Sequence, residues 1–411
     1  MHLTLSHPTG KLSGSLSLAG SKSISNRVLI IRALCGTDFP IDRLANAKDT
    51  QLLESLLQSD GELRDAGAAG TTYRFMTAYL SMQPGTQVLT GTERMKERPV
   101  GVLVEALKTI GAQIEYLEKP GFPPLRIGPP SNLGVSAALS ISAGTSSQYI
   151  SALLMIAPVL PNGLTLHLEG KIVSRPYIEM TLRLMGYFGV HHTWKGRTIH
   201  VPPQSYEARP FMVEADWSAA SYYYAMAALS QSADLFLGGL FPNSLQGDAI
   251  LPELYESLGV YTRFGTEGIR ITKAGQSKLP AFAYDFLRCP DLAQTLAATC
   301  AGLGIPGTFR GVETLRIKET DRIEALRQEL EKMEVVVGSF DDEAGGGFTV
   351  EGLARWHGLP TIQTYEDHRM AMAFAPLALL GKLRIEDPEV VVKSYPAFWE
   401  DLKKLGFTLD I

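Results

Sequence analysis

Cysteine is scarce in this 411-residue chain, with three residues, Cys35, Cys289 and Cys300, far apart and in or near apolar runs. An odd, scattered set argues against a disulfide framework or a cysteine zinc site, and fits reduced thiols in a cytoplasmic protein. Long apolar runs are missing too. None reaches the length of a membrane span, and the N-terminus lacks a basic stretch followed by a signal-like apolar core. Positive charge is in deficit: 38 Lys and Arg stand against 43 Asp and Glu, a net charge of −5. That balance gives no bulk attraction for nucleic acid or a membrane surface. The signatures GxxxxGKS/T, HExxH, CxxC and GxSxG do not occur. His191 and His192 are adjacent, and strand neighbours point to opposite faces, so they make a poor metal pair.

What is present is a recurring helix start. In AGSKSISNRVLIIRAL, Ala19 to Leu34, a lysine, three serines, an asparagine and an arginine sit at the mouth of an apolar helix. A helix start offers unpaired N–H groups and partial positive charge, and nearby hydroxyls and cations add to its pull on anions. One such start is ordinary capping. Here the pattern returns at TTYRFMTAYL, SSQYISALLMIAP, WSAASYYYAMAAL, DLAQTLAATCAGL and DHRMAMAFAPLAL. After a shorter first step the starts are about 70 to 77 residues apart. Amphipathic segments alternate with them: LLESLLQSDG, VGVLVEALKTIGA, YIEMTLRLMGYFGV, ILPELYESLGV, RIEALRQELEKM and AFWEDLKKLG. Alternating runs such as GLTLHLEG supply strands between them. The spacing predicts six α/β units of two helices each. A chain of this length exceeds one ordinary core, and six units divide into two domains of three.

Cations gather at the polar motifs despite the negative balance. Lys22 and Arg27, Arg74, Arg94 and Arg98, Lys318 and Arg322, Arg369 and Lys393 all lie close to helix starts or the loops before them. Each has a plainer reading. KETDR reads equally as a solvated helix start with Lys318 and Arg322 paired to Glu319 or Asp321, and ERMKERP as an exposed charged loop. Together they suit a small substrate with several phosphate and carboxylate groups. His368, between Asp367 and Arg369, reads as a hydrogen-bonded structural histidine.

Nine ordered motifs then resemble one family. AGSKSISNR, AGAAGTTYRF, GTERMKERPVG, SSQYISALLM, VSRPYIEMTL, VEADWSAASY, RIKETDRIEAL, YEDHRMAMAF and KSYPAFW are similar to those of the 5-enolpyruvylshikimate-3-phosphate (EPSP) synthases. These are the shikimate-pathway branch of the enolpyruvyl transferases. The resemblance implies an α/β fold of two domains, each with three βαβαββ units in a pseudo-threefold arrangement. Residues 1–18 and 216–411 would form one domain and 19–215 the other, with the active site in the cleft between them. It also implies a cytoplasmic monomer, and glyphosate as an inhibitor at the phosphoenolpyruvate site. The sister transferase acting on UDP-N-acetylglucosamine is the alternative, but it normally has Lys-Asn where this chain has Lys22 and Ser23, and a cysteine in the loop read here as GTERMKERP. A non-catalytic anion binder on the same scaffold would gain nothing from buried carboxylates such as Asp291 and Glu319.

The implied reaction transfers the carboxyvinyl group of phosphoenolpyruvate to the 5-hydroxyl of shikimate 3-phosphate, a 3-phosphoshikimate 1-carboxyvinyltransferase activity of aromatic amino acid (chorismate) biosynthesis. It needs an acid and a base but neither metal nor organic cofactor. Its implied catalytic residues are Asp291, Glu319 and Lys22. Shikimate 3-phosphate would meet Lys22, Ser23, Arg27, Ser146, Ser147, Gln148, Ser174, Tyr177, Asp291, Thr314 and Lys318. Phosphoenolpyruvate would meet Lys22, Gly70, Arg98, Gln148, Arg322, Arg369 and Lys393. Ser174 reads alternatively as a cap for YIEMTL, and Gly70 as the hinge of a tight turn. Two positions depart from the family: Ala68 and Thr314 stand where asparagine is usual. Cations in both domains imply an open free enzyme that closes on its anionic ligands.

Overall fold

The computed structural model describes residues 2–410 apart from 131, 135, 145, 274, 276, 278 and 344. The chain forms two compact units: one takes it up to Gly20 and again from Glu214, the other spans Ser21–Val213. The crossings lie two residues from the expected 18/19 and 215/216. A bridge between Gly20 and Ala215, and a 3.1 Å hydrogen bond from Asp216 N to Ala19 O, pair the outgoing and returning chain and keep both in the first unit.

Three four-stranded sheets build the first unit, each from a parallel pair extended by antiparallel strands. The parallel pairs are Lys11–Ser17 with Ser232–Gly238, Phe282–Asp285 with Gly307–Arg310, and Thr361–Ile362 with Leu383–Glu386. Parallel neighbours require a crossover, and each contains a helix, the first also the whole second unit, which gives the βαβαββ order. The N-terminal strand His2–Ser6 completes the last sheet, antiparallel to Leu383–Glu386.

In the second unit two sheets follow the same plan, around Leu63–Asp65 with Gln87–Thr90 and Ala138–Ser142 with Leu164–Glu169. The third α/β unit is abridged. It keeps the helices Lys22–Cys35 and Lys48–Gln58, but its described sheet is the two-stranded pair Ile41–Asp42 and Phe211–Met212. Its helix ends at Gln58 and the next unit's strand begins at Leu63, which leaves no length for a closing hairpin.

Each unit has three inner helices packed on one another. In the first they are Trp217–Leu229, Ala293–Leu303 and His368–Phe374; in the second, Lys22–Cys35, Gly70–Leu80 and Ser147–Ile156. Runs such as AASYYYAMAAL are apolar on every side, which is the pattern of a helix enclosed on every side. The six recurring starts of the sequence are the first turns of these six helices, Asp291 lying in the single turn Pro290–Leu292 that leads into one of them. The amphipathic segments form the other helices, including Gly101–Thr109, Arg175–Tyr187 and Arg322–Glu331.

Candidate active site

Polar residues collect where the inner helices begin. In the second unit, Lys22 opens its helix and its Nζ lies 3.1 Å from Asp49 Oδ2, at the start of Lys48–Gln58. One turn on, Arg27 is 2% exposed. Its Nε donates to Thr181 Oγ1 at 2.7 Å and Nη1 to Ser23 O at 2.8 Å; Nη2 reaches Ser151 Oγ at 3.1 Å and Tyr177 O at 3.4 Å. The rings of Phe75 and Tyr177 flank the guanidinium. Among the described residues no carboxylate pairs with it. Burial therefore lowers its pKa to about 10, with Tyr177 pulling the other way, and the group stays a cation at neutral pH. A buried cation without a counterion is prepared for an anionic ligand.

Gly70 begins its helix directly after the turn that Ala69 N closes on Ala66 O at 3.0 Å, and its own φ is not left-handed, so backbone conformation does not by itself demand glycine there. Space is what requires glycine here. A β-carbon would stand 2.5 Å from Arg98 Nη1 and 2.9 Å from Arg74 Nη1, so two guanidinium groups converge on the gap. The Nε of Arg98 is buried with no hydrogen-bond partner among the described residues. Gln148 is locked between its neighbours, accepting from Arg74 Nη1 at 2.7 Å and donating to Thr71 Oγ1 at 2.9 Å. Arg94, by contrast, pairs with Glu97 on the surface, so the exposed-loop reading of ERMKERP holds for Arg94 but not for Arg98.

Ser146 caps its helix, its hydroxyl accepting from Gln148 N at 3.3 Å, and Ser147 is the first helical residue. Ser174 precedes Arg175–Tyr187 with φ 52°, and its side chain makes no cap hydrogen bond. A buried, non-glycine residue in the left-handed region is strained, and the capping role expected as the alternative is not filled.

The first unit gathers two carboxylates among three cations. Asp291 Oδ1 lies 2.9 Å from Arg322 Nη1 and 3.8 Å from Lys318 Nζ, and its Oδ2 is 3.2 Å from Arg369 Nη2. Glu319 Oε2 is 2.9 Å from Arg322 Nη2. Burial alone would raise the pKa of Asp291, but Arg369, Lys318 and Arg322 outweigh it and hold the carboxyl far below the usual range. Lys318 is lowered, burial outweighing the pull of Asp291 and Glu319. Burial opposes the charge of Arg322 as well, yet Asp367, Glu319 and Asp291 keep it firmly protonated. Arg322 is 1% exposed, so KETDR is not a solvated start, although the expected pairing of Arg322 with Glu319 is present; Asp321 caps the helix, accepting from Ile323 N and Glu324 N. The Thr314 hydroxyl is buried with no hydrogen-bond partner among the described residues, as a substrate-facing hydroxyl would be. Lys393 donates to Glu366 O at 2.9 Å, next in the chain to Asp367, which pairs with Arg322.

Several residues here escaped the sequence reading. Asp367, fully buried, binds Arg322 Nε at 2.7 Å and caps its own helix by accepting from Arg369 N at 2.8 Å. Tyr365 and Glu366 before it both have positive φ, 52° and 56°. Two successive strained non-glycine residues mark a backbone held by its surroundings, with Tyr365 OH donating to Glu329 Oε1 at 2.6 Å and Lys393 gripping Glu366. Asp49 and Asp367 carried no signal beyond an acidic residue at a helix start, which is common for capping alone.

Comparison with known proteins gives the family. The sequence profile of the family described as EPSP synthase (3-phosphoshikimate 1-carboxyvinyltransferase) matches residues 53–402. A Bacteroides fragilis protein named 3-phosphoshikimate 1-carboxyvinyltransferase is 48% identical over 415 aligned positions, covering 100% of this chain and 99% of that one. The EPSP synthase structure from Acinetobacter baumannii superposes with a TM-score of 0.78 at 21% identity, covering 100% of each chain. The enolpyruvyl transferase NikO from Streptomyces tendae gives 0.74 at 16% identity, covering 100% of this chain and 98% of that one. At those identities the two structures establish the fold alone.

Proposed function

This chain belongs to the EPSP synthase family, and from that premise we propose that it moves the carboxyvinyl group of phosphoenolpyruvate to the 5-hydroxyl of shikimate 3-phosphate and releases phosphate. The observation that carries the reading is the cluster of Asp291 and Glu319 among Lys318, Arg322 and Arg369. Cations alone would serve an anion receptor. Two carboxylates set among them serve proton transfer on an anionic substrate.

Addition takes a proton from the 5-hydroxyl and gives one to the methylene carbon; elimination removes a proton from that carbon as phosphate leaves. Asp291, held as a carboxylate, is the acceptor for the hydroxyl proton. In the free protein its cations make it a weak base. Anionic substrates draw Arg369, Arg322 and Lys318 toward their own oxygens, and the basicity of Asp291 rises as that hold is shared. Glu319 handles the carbon proton, and Lys22 assists the hydroxyl and the departing phosphate. Ser146, Ser147 and Ser174 hold the 3-phosphate, Ser23 and Arg27 the carboxylate of shikimate 3-phosphate, and Gln148, Tyr177 and Thr314 the ring. Gly70, Arg98, Arg322, Arg369 and Lys393 receive phosphoenolpyruvate. The protein works as a cytoplasmic monomer on this reading; among the described residues no helix is long and apolar enough to cross a membrane.

The acceptor is tested by supplying phosphoenolpyruvate with shikimate 3-phosphate or with UDP-N-acetylglucosamine. Carboxyvinyl product from the first alone supports the reading, and product from the second alone moves the chain to the sister activity.

Arg27 gives a sharper test. Four of its five N–H groups are already engaged, so its contribution to the ligand is one N–H and an uncompensated charge. Arg27→Met should bind shikimate 3-phosphate roughly 10- to 150-fold more weakly, the worth of a charged hydrogen bond. It should keep a near-native melting temperature, because Thr181 Oγ1 already donates to Ser151 Oγ at 2.8 Å without it. Calorimetric titration showing unchanged affinity would contradict the assignment. Gly70→Ala should push Arg98 and Arg74 off their shared gap and raise the KM for phosphoenolpyruvate about 10-fold. Glyphosate, proposed to occupy the same site, should weaken with it. An unchanged KM in a stable variant would remove Gly70 from the pocket.

A further inference from the structure

One buried carboxyl beside the first unit's cluster has no part in the chemistry above. Asp248 lies in the single turn Gly247–Ile250 and is 3% exposed. The strap that carries it is tied to the start of Trp217–Leu229. Gln246 Oε1 accepts from Trp217 N at 3.0 Å, Gln246 Nε2 donates to Ala215 O at 2.8 Å, and Leu245 N donates to Glu214 Oε1 at 2.9 Å. Asp248 Oδ2 accepts the hydroxyl proton of Ser218. Ser218 Oγ in turn is 3.5 Å from Arg369 Nη2, the nitrogen that stands 3.2 Å from Asp291 Oδ2. A hydroxyl whose proton is committed to a carboxylate turns its lone pairs to its other neighbour, so Ser218 faces Arg369 as an acceptor.

No lysine or arginine forms an ion pair with Asp248 among the described residues. Burial raises its pKa first and the charge of Asp291 next, with Asp216 adding; Arg369 and the Ser218 hydrogen bond pull back, and the result is about 7. The Cys289 thiol, pushed up first by its own burial, is raised further by the charge of Asp248. Between the ordinary aspartate value and that raised value the folded protein holds a proton that the unfolded chain has lost. Stability therefore falls as pH rises through that window, and the ionised carboxylate weighs against the fold above it. A buried acid one hydroxyl away from Arg369 points to a role in the site.

We propose that Asp248 is a positioning residue that acts through Ser218, holding the Arg369 guanidinium beside Asp291 in the orientation that receives the anionic end of phosphoenolpyruvate. This rests on the assignment of phosphoenolpyruvate to Arg369. Ser218→Ala and Asp248→Ala should each raise the KM for phosphoenolpyruvate about 10-fold, with affinity for shikimate 3-phosphate unchanged, and the double variant should be no worse than either. Asp248→Asn, which keeps an acceptor for the Ser218 hydroxyl, should bring the KM for phosphoenolpyruvate back near the wild-type value, whereas a purely structural carboxylate would leave that KM unmoved in Asp248→Ala as well. An unchanged KM in Ser218→Ala, or losses that multiply in the double variant, would overturn the proposal. Should the wild-type protein release no phosphate from its two substrates, the functional reading falls, and crystal structures of wild type and Ser218→Ala still decide this one. A guanidinium of Arg369 turned away from Asp291 in the variant supports the positioning role; an unmoved one refutes it.

Discussion

Asp291→Asn is expected to lower kcat by about 10²- to 10⁴-fold, the usual worth of a positioned acid–base group. Asparagine keeps the shape and one acceptor oxygen but cannot take up the 5-hydroxyl proton. The same substitution leaves Arg369, Lys318 and Arg322 with one fewer negative neighbour, so stability must be followed beside activity. The sign is fixed by the depressed pKa of Asp291. Its carboxylate stabilises the fold above the pKa of an unfolded aspartate, and that contribution fades as pH falls further. The melting gap between wild type and variant should be full at neutral pH and narrow in strong acid, while the loss of turnover persists wherever both are folded. Steady-state assays showing kcat within a few-fold of wild type would remove Asp291 from the chemistry.

Arg322→Ala should produce the largest loss of stability. One guanidinium serves Asp291, Glu319 and Asp367, and Asp367 is fully buried. Deleting it strands the fully buried Asp367 and loosens the hold on Glu319 and on Asp291, which keeps Arg369 and Lys318, and breaking a buried pair from one side costs about 3–5 kcal/mol. In the variant the stranded acids take up protons more readily in the folded state, so its deficit should be greatest at high pH and shrink on acidification. Arg322→Lys should recover only part of the loss, because an ammonium cannot reach three carboxylates in one plane as the guanidinium fork does. Thermal melts from pH 5 to pH 9 check both statements. A deficit independent of pH would mean that packing, rather than stranded charge, sets the cost.

Local chemistry made the six inner helices legible, since small and hydroxyl-bearing residues before all-round apolar runs need no tertiary information. The short first step between Ser23 and Thr71 was visible in the spacing as well, but its cause, an α/β unit without its closing hairpin, appears only in the sheet pairing. Cations of the site stood out because their density contradicts the chain's negative balance. Its supporting carboxylates did not. Asp49, Asp248 and Asp367 each lie in or at the start of a helical segment, where an acid is ordinary, and what distinguishes them is contact with groups distant in sequence. Gly70 shows the same limit: a glycine needed for φ and one needed for space look alike until Arg98 and Arg74 are placed.

Phosphate release by the purified wild-type protein tests the central claim most directly. Phosphoenolpyruvate and shikimate 3-phosphate together should release phosphate in step with a product carrying the carboxyvinyl group on the 5-hydroxyl, and either substrate alone should release none. Folded protein that leaves phosphate bound to phosphoenolpyruvate when both are present would contradict the assignment.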